Sequence, residues 1–459
     1  MNRSALDTLV LGPSTREAGG HELPLAAPDR YEDLGLIAVG GMGEVRRVRD
    51  RLLGRQLVQK ILRSDLADAD RLIARFVREA RLTATLQHPS VVAVHDLGRL
   101  ADGRVFFTMR EVAGDTLTRR IRELHRASRG GQWGTLPDGF TFRRLVEVIH
   151  QVCRTVAFAH DRGIVHGDLK PDNVMIGAYG EVHVLDWGLA TIPDLEPGAT
   201  GVAGTPAYMA PEQAFAVPRS AATDVYALGA TLYDVLADHP PYVDPNPHDV
   251  LRRLRQGDRP EPLPRVADGA QFAESRRFQA RDSSDDGPPI PGPLAAAARK
   301  ALSRDPADRQ PSAAAIADDV AAWLDGLRRA DDARRTVAVT VAQVDGIEEL
   351  RSRAADLRAR AARRLAAIPR SASDLDKRLA WSLEDEAEAL ERESDQREVD
   401  VEGALRGVLA VAPGLPEAHA ALADRLEALH AAAEAAGDTR TALRLESRLR
   451  AHVLALPRA

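Results

Sequence analysis

One stretch of the chain, residues 166–188, constrains the fold more than any other. It reads His-Gly-Asp-Leu-Lys-Pro-Asp-Asn, then an apolar run, a turn containing glycine, a second apolar run and Asp-Trp-Gly. Alternating apolar residues on both sides of such a turn predict a short β-hairpin. The hairpin would place a loop carrying Asp168, Lys170 and Asn173 beside a second loop carrying Asp186.

Two carboxylates, an amide and an ammonium would then converge on one site. This set suits phosphoryl transfer, in which a protein positions a nucleophile, holds a metal ion and neutralises phosphate oxygens. A polar hairpin without chemistry is the alternative interpretation, and the motifs below count against it. The stretch resembles the catalytic and metal-binding loops of protein kinases, and the chain looks like the bacterial serine/threonine members of that family.

The resemblance implies an α+β fold class. We expect the bilobal protein kinase fold, with a small β-rich lobe and a large helical lobe, followed by an all-α C-terminal region. It also implies that Asp168 orients the substrate hydroxyl and accepts its proton, with Lys170 and Asn173 completing the catalytic set. Asn173 and Asp186 would hold Mg²⁺ on ATP, with Mn²⁺ as an alternative ion.

A glycine cluster lies between two extended segments that follow Tyr31. By itself it would suit an ordinary hairpin turn, but by resemblance it is the loop that covers the ATP phosphates with backbone N–H groups. The family's first glycine is replaced here by Ala38. The predicted nucleotide-binding residues of this region are Ile37, Ala38, Val39, Gly40, Gly41, Met42, Gly43, Glu44, Val45 and, on the next strand, Val58.

Lysine usage supports the same interpretation. Only four of the 62 basic residues are lysine, and two of these, Lys60 and Lys170, fall where a protein kinase uses one. Glu79 lies on the apolar face of a helix predicted over 70–86, and a carboxylate on such a face needs a partner. The resemblance makes Lys60 that partner; a surface pair with Arg75 is the alternative.

A β-rich run over 105–109 precedes a turn and, by resemblance, is the last strand of the small lobe. Met109 would then occupy the gatekeeper position. The backbone of Arg110 and Val112 would contact the adenine.

Residues 204–212 closely resemble the substrate-facing segment of serine/threonine protein kinases. By the same resemblance, Asp224 ties to the backbone of the catalytic loop. Arg309 matches the arginine that pairs with the closing glutamate, here Glu212.

We predict three regions along the chain. Residues 1–30 are expected to be a mobile tail. Residues 31–327 form the kinase domain, with a small lobe over 31–112, a large lobe over 113–327 and a mobile insertion at about 256–293. Residues 331–459 form helices with a spacing loosely like tetratricopeptide repeats, of which at most one and a half are present. These helices would either pack on themselves or dimerise, or form a peptide-binding platform.

Composition narrows the partners. No run of about 18 apolar residues and no signal-like segment occurs, so we expect neither a membrane span nor secretion. Cys153 is the single cysteine, which fits a cytoplasmic protein, and its apolar neighbours predict a buried thiol. The net charge of −6 gives no reason to expect nucleic-acid binding.

The leading hypothesis is an ATP-dependent serine/threonine protein kinase that transfers the γ-phosphate of Mg-ATP to protein hydroxyls in signalling. A catalytically dead scaffold is an alternative, because the sequence departs from the family at Ala38, Gly167 and Trp187. A small-molecule kinase acting on aminoglycosides or choline is another, because it can share the His-Gly-Asp loop. Lys170 and the segment over 204–212 count against it.

Gly167 also bears on regulation. Many protein kinases have arginine at this position, where it pairs with a phosphate on the activation loop. Because glycine offers no charge, we expect activity without loop phosphorylation, with control from elsewhere, such as the C-terminal helices. That loop contains no serine, and its threonines are Thr191, Thr200 and Thr205, of which Thr205 is expected to contact the catalytic residues.

Overall fold

Apolar residues alternating with polar ones after Tyr31 form an antiparallel sheet of five strands. The computed structural model describes residues 23–27, 29–40, 43–66, 70–128, 131–193, 202–264, 266–267, 288–369 and 373–456. The strands of this sheet are β1 (Tyr31–Val39), β2 (Gly43–Asp50), β3 (Arg55–Leu62), β4 (Val94–Arg99) and β5 (Val105–Met109). They lie in the order β1-β2-β3-β5-β4, which leaves β1 and β4 at the edges.

Helix α1 (Asp70–Thr85) covers one face of this sheet. Its buried residues Phe76 and Ala80 pack in one cluster with Leu62 and Phe107 of the strands. The rings of Phe76 and Phe107 lie 5.1 Å apart between centroids, a separation typical of favourable aromatic pairs. Sheet and helix together form the small lobe, and the apolar stripe of α1 fixes which of its side chains point inward.

The described part of the predicted N-terminal tail contacts strand β4 at the edge of the sheet. Leu25 forms a parallel bridge with Arg99, and the backbone of Ala26 donates to the Arg99 carbonyl at 2.8 Å. Arg30 pairs with Asp96 at 3.0 Å. These residues pair with free backbone groups of the edge strand β4, and the rest of the predicted tail, 1–22 and 28, lies outside the described residues.

The large lobe is helical around a small sheet. Its helices are α2 (Leu117–Ala127), α3 (Phe142–His160), α4 (Pro211–Ala214), α5 (Ala221–Ala237), α6 (Pro247–Gln256) and α7 (Gly292–Ala301). Strands β6 (Gly114–Thr116), β7 (Val174–Gly177) and β8 (Val182–Val184) form the sheet, and β7 and β8 are the predicted hairpin. Two strands of two residues each, β9 (Val266–Ala267) and β10 (Ile290–Pro291), pair in parallel.

Two long helices form the centre of this lobe. Thr141 caps α3 by accepting from the backbone N–H of Arg144, and α3 buries an apolar stripe that includes Cys153. Helix α5 is apolar nearly all round and is buried from Thr223 to Leu236, as expected of a core helix. The prediction of a buried thiol is confirmed, and burial raises the pKa of Cys153 to about 12.

The predicted insertion lies mostly outside the described residues, since 265 and 268–287 are not described. Its described ends carry β9 and β10. The Trp133 indole donates to the carbonyl of Pro289 at 3.0 Å, next to the second of these strands.

A buried ion pair joins two distant parts of the large lobe. The guanidinium of Arg309 donates to both carboxylate oxygens of Glu212, each at 2.8 Å. The Arg309 side chain is fully buried and also donates to the carbonyls of Ala222, Ser303 and Arg304. The pairing expected from the sequence is present, and it fixes the start of α4.

The chain divides into two compact units, 1–324 and 325–459. Helix α8 (Ala313–Val341) carries residues of both, and the second unit continues with α9 (Val344–Ala366), α10 (Asp374–Val411), α11 (Pro416–Ala435) and α12 (Thr439–Ala455). One apolar cluster of this unit includes Ile347, Leu405 and Leu422. The fold class predicted from the sequence is confirmed: a bilobal kinase fold followed by an all-α region.

Within the described ranges, none of the helices combines the length and the apolar character needed to cross a bilayer.

Removing the buried cation tests the Arg309–Glu212 pair. Arg309→Met should lower the free energy of unfolding by about 3–5 kcal/mol, because it leaves a largely buried carboxylate without a partner. Urea unfolding followed by tryptophan fluorescence measures the change. Arg299→Met, the same substitution on an exposed position of α7, is the matched control, and equal midpoints for the two variants would contradict the assignment.

Candidate active site

Asp168 lies in the loop between α3 and β7, and its carboxylate is held from two sides. It accepts from the backbone N–H of Thr205 at 2.8 Å and lies 3.3 Å from the ammonium of Lys170. Lys170 in turn donates to the hydroxyl of Thr205 at 2.7 Å. The Asn173 amide donates to the Asp168 carbonyl at 2.8 Å. The three residues predicted as catalytic are therefore brought together, with Thr205 joining them from the neighbouring segment.

Asp224, a fully buried residue of α5, holds the backbone of this loop through hydrogen bonds. Asp224 accepts from the backbone N–H groups of His166 and Gly167 at 2.7 and 2.8 Å, and from His160 at 2.8 Å. Burial would raise the pKa of Asp224, but the hydrogen bond from His160 and those from the backbone outweigh it, and the pKa lies below its ordinary value. The expected tie between Asp224 and the catalytic loop is present.

His166 links the two loops that the hairpin separates. Its Nε2 lies 3.0 Å from the Leu185 carbonyl, and its Nδ1 accepts from the Asp168 backbone N–H at 3.3 Å. The imidazole also packs against the buried ring of Trp187, 4.6 Å between centroids. These contacts fix the loop of Asp168 relative to that of Asp186.

Lys60 joins the small lobe to Asp186. Its ammonium lies 2.5 Å from the Glu79 carboxylate and 3.6 Å from the Asp186 carboxylate. Burial would lower the pKa of Lys60, but the two carboxylates outweigh it and raise the pKa above its usual value. The predicted Lys60–Glu79 pair is present; Arg75, the alternative partner, donates instead to the Gly188 carbonyl at 3.0 Å.

The Asp186 carboxylate is the most open of the charged groups at this site, with half of its side chain exposed. Burial of the rest would raise its pKa, but Lys60, His166 and Lys170 together lower it below the ordinary value, so the carboxylate is ionised at neutral pH. Asp186 has a left-handed backbone with φ of 57°. Such strain is uncommon outside glycine and clusters at functional sites.

The donor set fits a magnesium ion shared with a bound phosphate. Asp186 supplies an ionised carboxylate, and Asn173 keeps its amide oxygen because its Nδ2 is the group that bonds Asp168. Within the described residues no cluster of three or more His, Cys, Asp or Glu side chains could hold a metal by itself. Two protein oxygens, completed by phosphate and water, match the way in which Mg²⁺ is usually bound.

The described residues on either side of the glycine-rich turn are Gly40 and Gly43. Gly40 donates to the Gly43 carbonyl at 2.8 Å, and a Cβ on Gly43 would lie 2.7 Å from the Ile61 carbonyl, so only glycine fits there. Ile37 and Val39 are exposed although apolar. Ala38 is exposed too, and Glu44 and Val45 are half-buried on β2. Gly41 and Met42 lie outside the described residues.

The connection between the lobes follows β5. Val58 on β3 pairs with Met109 across the sheet. The backbone N–H of Arg110 donates to the Ala93 carbonyl at 3.1 Å, so the Arg110 carbonyl is the group that this residue offers to a ligand. Val112 lies two residues further and is half-buried.

Two of the three threonines of the activation loop, Thr191 and Thr205, lie within the described residues. Thr191 is only 6% exposed, and its backbone is paired in both directions with Val165, so a kinase cannot reach its hydroxyl in this conformation. Thr205 contacts Lys170 and Asp168 as expected. Thr200 lies outside the described residues. Thr191 is therefore not a candidate phosphorylation site in this conformation, because it is buried where its backbone forms a β-bridge with Val165.

Sequence reasoning did not identify every residue that supports the site. Gln213 donates to the Gly167 carbonyl at 3.0 Å, and Arg219 donates to the carbonyls of Leu189 and Ala203 at 3.1 and 3.2 Å. The one indication in the sequence is Gly167: because the usual arginine is absent there, a cation from another part of the chain could take its place.

Comparison with known proteins gives a concordant result. Residues 31–317 match the family model of the protein kinase domain. The chain is similar to the serine/threonine-protein kinase PknD of Protochlamydia amoebophila, with 32% identity over 66% of this chain and 31% of the relative. It is also similar to PknD of Chlamydia felis, 33% identical over 65% and 31% of the two chains, and to PknB of Mycobacterium tuberculosis, 34% identical over 65% and 43%.

The similarity covers only part of those relatives. The aligned region spans about a third of the length of the chlamydial relatives and less than half of the mycobacterial one.

A substitution at Asp224 tests its support of the loop. Asp224→Asn should lower the free energy of unfolding by about 2–3 kcal/mol, because an amide nitrogen replaces one oxygen that accepts a buried N–H. Urea unfolding gives the stability, and hydrogen exchange should rise at the amides of His166 and Gly167. Asp318→Asn, on an exposed position of α8, is the control; unchanged exchange at those two amides would refute the role.

Proposed function

The chain belongs to the protein kinase family, and we propose that it is an ATP-dependent serine/threonine protein kinase that transfers the γ-phosphate of Mg-ATP to protein hydroxyls. One observation carries the proposal. Lys60 is paired with Glu79 and lies 3.6 Å from Asp186, while Asp168 is simultaneously bound to Thr205 and close to Lys170. The side chains that we propose to bind the nucleotide, the metal ion and the acceptor hydroxyl are therefore all held in place by contacts within the protein.

Nucleotide binding would use both lobes. Glu79 holds the Lys60 ammonium in place, where its charge can meet the α and β phosphates. The exposed apolar side chains of Ile37 and Val39 offer a cover for the nucleotide, and the Arg110 carbonyl with the Val112 backbone can bond the adenine edge. Met109 would border the adenine pocket.

Asp186 and Asn173 would hold the metal ion, for which we propose Mg²⁺, with Mn²⁺ as an alternative. The ion held by these two residues would supply positive charge that neutralises part of the charge of the nucleotide phosphates. The low pKa of Asp186 keeps its carboxylate ionised, and the hydrogen bond from Asn173 to Asp168 couples the metal site to the acceptor site.

Asp168 would orient the acceptor hydroxyl and take its proton. The Thr205 N–H occupies one carboxylate oxygen, which leaves the other for the hydroxyl, and Lys170 next to it can stabilise the transferring phosphoryl group. Both residues are held by contacts that need no substrate, so the acceptor would find the site already arranged.

Two features support a protein rather than a small molecule as the acceptor. Thr205 belongs to the segment that resembles the peptide-docking part of serine/threonine kinases, and it bonds both Lys170 and Asp168. The relatives named above are all serine/threonine-protein kinases. The cytoplasm, where Mg-ATP is available and a lone thiol stays reduced, is the compartment that this activity suits.

The departures from the family at Ala38 and Trp187 do not remove a side chain that would contact the nucleotide, the metal ion or the acceptor. Trp187 is buried against His166, and Asp186 next to it still lies 3.6 Å from Lys60. Ala38 is an exposed residue before the glycine-rich turn. These contacts favour an active enzyme over a catalytically dead scaffold. The helices α9–α12 remain available for a protein partner or for self-association.

Removing the proposed base should abolish turnover without unfolding the protein. Asp168→Asn should lower phosphotransfer by about 10²- to 10⁴-fold, or about 3–5 kcal/mol of barrier, because no carboxylate then accepts the proton. Radiolabelled ATP is followed with a generic protein substrate and, separately, with aminoglycosides. Asp172→Asn, an exposed carboxylate in the same loop, is the matched control. Wild-type rates for Asp168→Asn would rule out the role, and transfer to aminoglycosides alone would favour a small-molecule kinase.

The metal assignment predicts a separate loss. Asp186→Ala should weaken binding of Mg-ATP and abolish transfer, because Asn173 alone cannot hold the ion on the phosphates. Titration of the nucleotide with and without Mg²⁺ measures the effect, and the variant should lose the Mg²⁺-dependent part of the affinity. Asp318→Ala should behave like wild type. A variant at Asp186 that keeps the full Mg²⁺ dependence would show that the metal is held elsewhere.

A further inference from the structure

Gly167 replaces the arginine that precedes the catalytic aspartate in many protein kinases, and a different arginine occupies the adjacent space. Gly167 has φ of +80°, and a Cβ placed on it would lie 2.9 Å from Cδ of Arg219 and 3.0 Å from the Leu189 carbonyl. Any other residue at 167 would therefore be strained and would also displace the Arg219 side chain. The glycine and the arginine fit each other.

The guanidinium of Arg219 bonds two separate parts of the activation segment. Its Nη1 donates to the Leu189 carbonyl at 3.1 Å, just after the Asp-Trp-Gly motif, and its Nη2 donates to the Ala203 carbonyl at 3.2 Å, just before Gly204. A planar fork can serve two carbonyls at once, which an ammonium cannot do with fixed geometry. Arg219 thereby links the two described ends of the segment over 186–212.

Those two ends carry groups of the catalytic site. Leu189 lies three residues after Asp186, and Ala203 lies two residues before Thr205, whose N–H holds the Asp168 carboxylate. Anchoring both carbonyls therefore restrains the metal ligand and the partner of the catalytic aspartate together. In kinases that have an arginine at the position of Gly167, a phosphate on the activation loop pairs with that arginine and orders the loop.

Burial and the neighbouring charges act on this arginine in opposite directions. Burial is the largest effect and, together with the charges of Arg75 and Arg78, lowers the pKa of Arg219 below its ordinary value, although Asp224 and Asp168 favour the charged guanidinium. Asp224 is the buried carboxylate that holds the Gly167 N–H. The carboxylates therefore offset only part of the cost of burying the guanidinium, and the two hydrogen bonds to Leu189 and Ala203 are the contacts that hold it.

We propose that Arg219 is a positioning residue that restrains the two described parts of the activation segment, 186–193 and 202–212, so that the kinase is active without loop phosphorylation. The inference rests on the proposed function for its activity readout. It extends that proposal by naming the residue that replaces phosphate-dependent control. Arg219 does not touch substrate, and it acts only through Leu189 and Ala203.

The test uses the full chain, treated with a nonspecific phosphatase and checked by mass spectrometry for the absence of phosphate. Wild type, Arg219→Met and Arg219→Lys are compared, with Arg299→Met as the matched exposed control and Asp168→Asn as the inactive reference. We expect dephosphorylated wild type to keep its activity within about threefold. Arg219→Met should lose about tenfold or more in kcat/KM for a protein substrate while its ATP affinity and melting temperature stay close to those of Arg299→Met. Arg219→Lys should recover only part of the loss.

A double-mutant cycle tests the mutual fit. Gly167→Ala should cost more activity in the wild-type background than in an Arg219→Ala background, because truncation removes the Cδ and Nε atoms that the added Cβ would meet, while the strain at φ +80° and the contact with the Leu189 carbonyl remain in both. Independent, additive losses would overturn the coupling.

Hydrogen exchange keeps the inference testable apart from the activity. Arg219→Met should speed exchange of the amides over 189–193 and 202–206 and leave those of β5 unchanged. Unchanged exchange over both stretches would overturn the inference whatever the activity. A loss of more than tenfold on phosphatase treatment of wild type, restored by phosphate on Thr200, would overturn it as well. Wild-type turnover no higher than that of Asp168→Asn would instead refute the proposed function, with the exchange result still deciding the role of Arg219.

Discussion

A single carboxylate buried in the large lobe determines the geometry of the site. Asp224 accepts from the backbone N–H groups of His166 and Gly167 and from the His160 side chain, so three hydrogen bonds offset the cost of burying its charge. Without these bonds the loop before Asp168 would present two N–H groups to a core that cannot pair them. The conformation of the catalytic loop is therefore fixed by α5, a helix with no exposed face from Thr223 to Leu236.

From this anchor the contacts extend outward in two directions. One passes through His166 to the Leu185 carbonyl and Trp187, and so to Asp186 and Lys60 in the small lobe. The other passes through Asp168 to Thr205 and the substrate-facing segment. The polar groups of each path are paired within the protein, so ligand binding does not have to create the arrangement. Pre-arranged groups of this kind stabilise developing charge without reorganisation.

The sequence predicted those parts of the protein whose signals are local or carried by the family's motifs. The hairpin after Asn173, the helix over 70–86 and the Lys60–Glu79 pair follow from short-range periodicity or from motif positions. Contacts between distant segments without a motif were not predictable. Arg219 is 52 residues from Gly167 in the chain and belongs to no recognised pattern. Likewise, the bridge that buries Thr191 depends on Val165, and the pairing of residues near Leu25 depends on the free edge of β4; neither has a signature in the local composition.

The burial of Cys153 has a practical consequence for spectroscopy of this protein. It is the only cysteine in the sequence, it is fully buried, and its high pKa keeps it a neutral thiol, which is a poor nucleophile. Tyr179 stands at the turn between β7 and β8 with 97% of its surface exposed. A cysteine introduced there would be the one thiol that a maleimide dye can reach. It would place a fluorophore on the hairpin between the two catalytic loops without first removing a native cysteine.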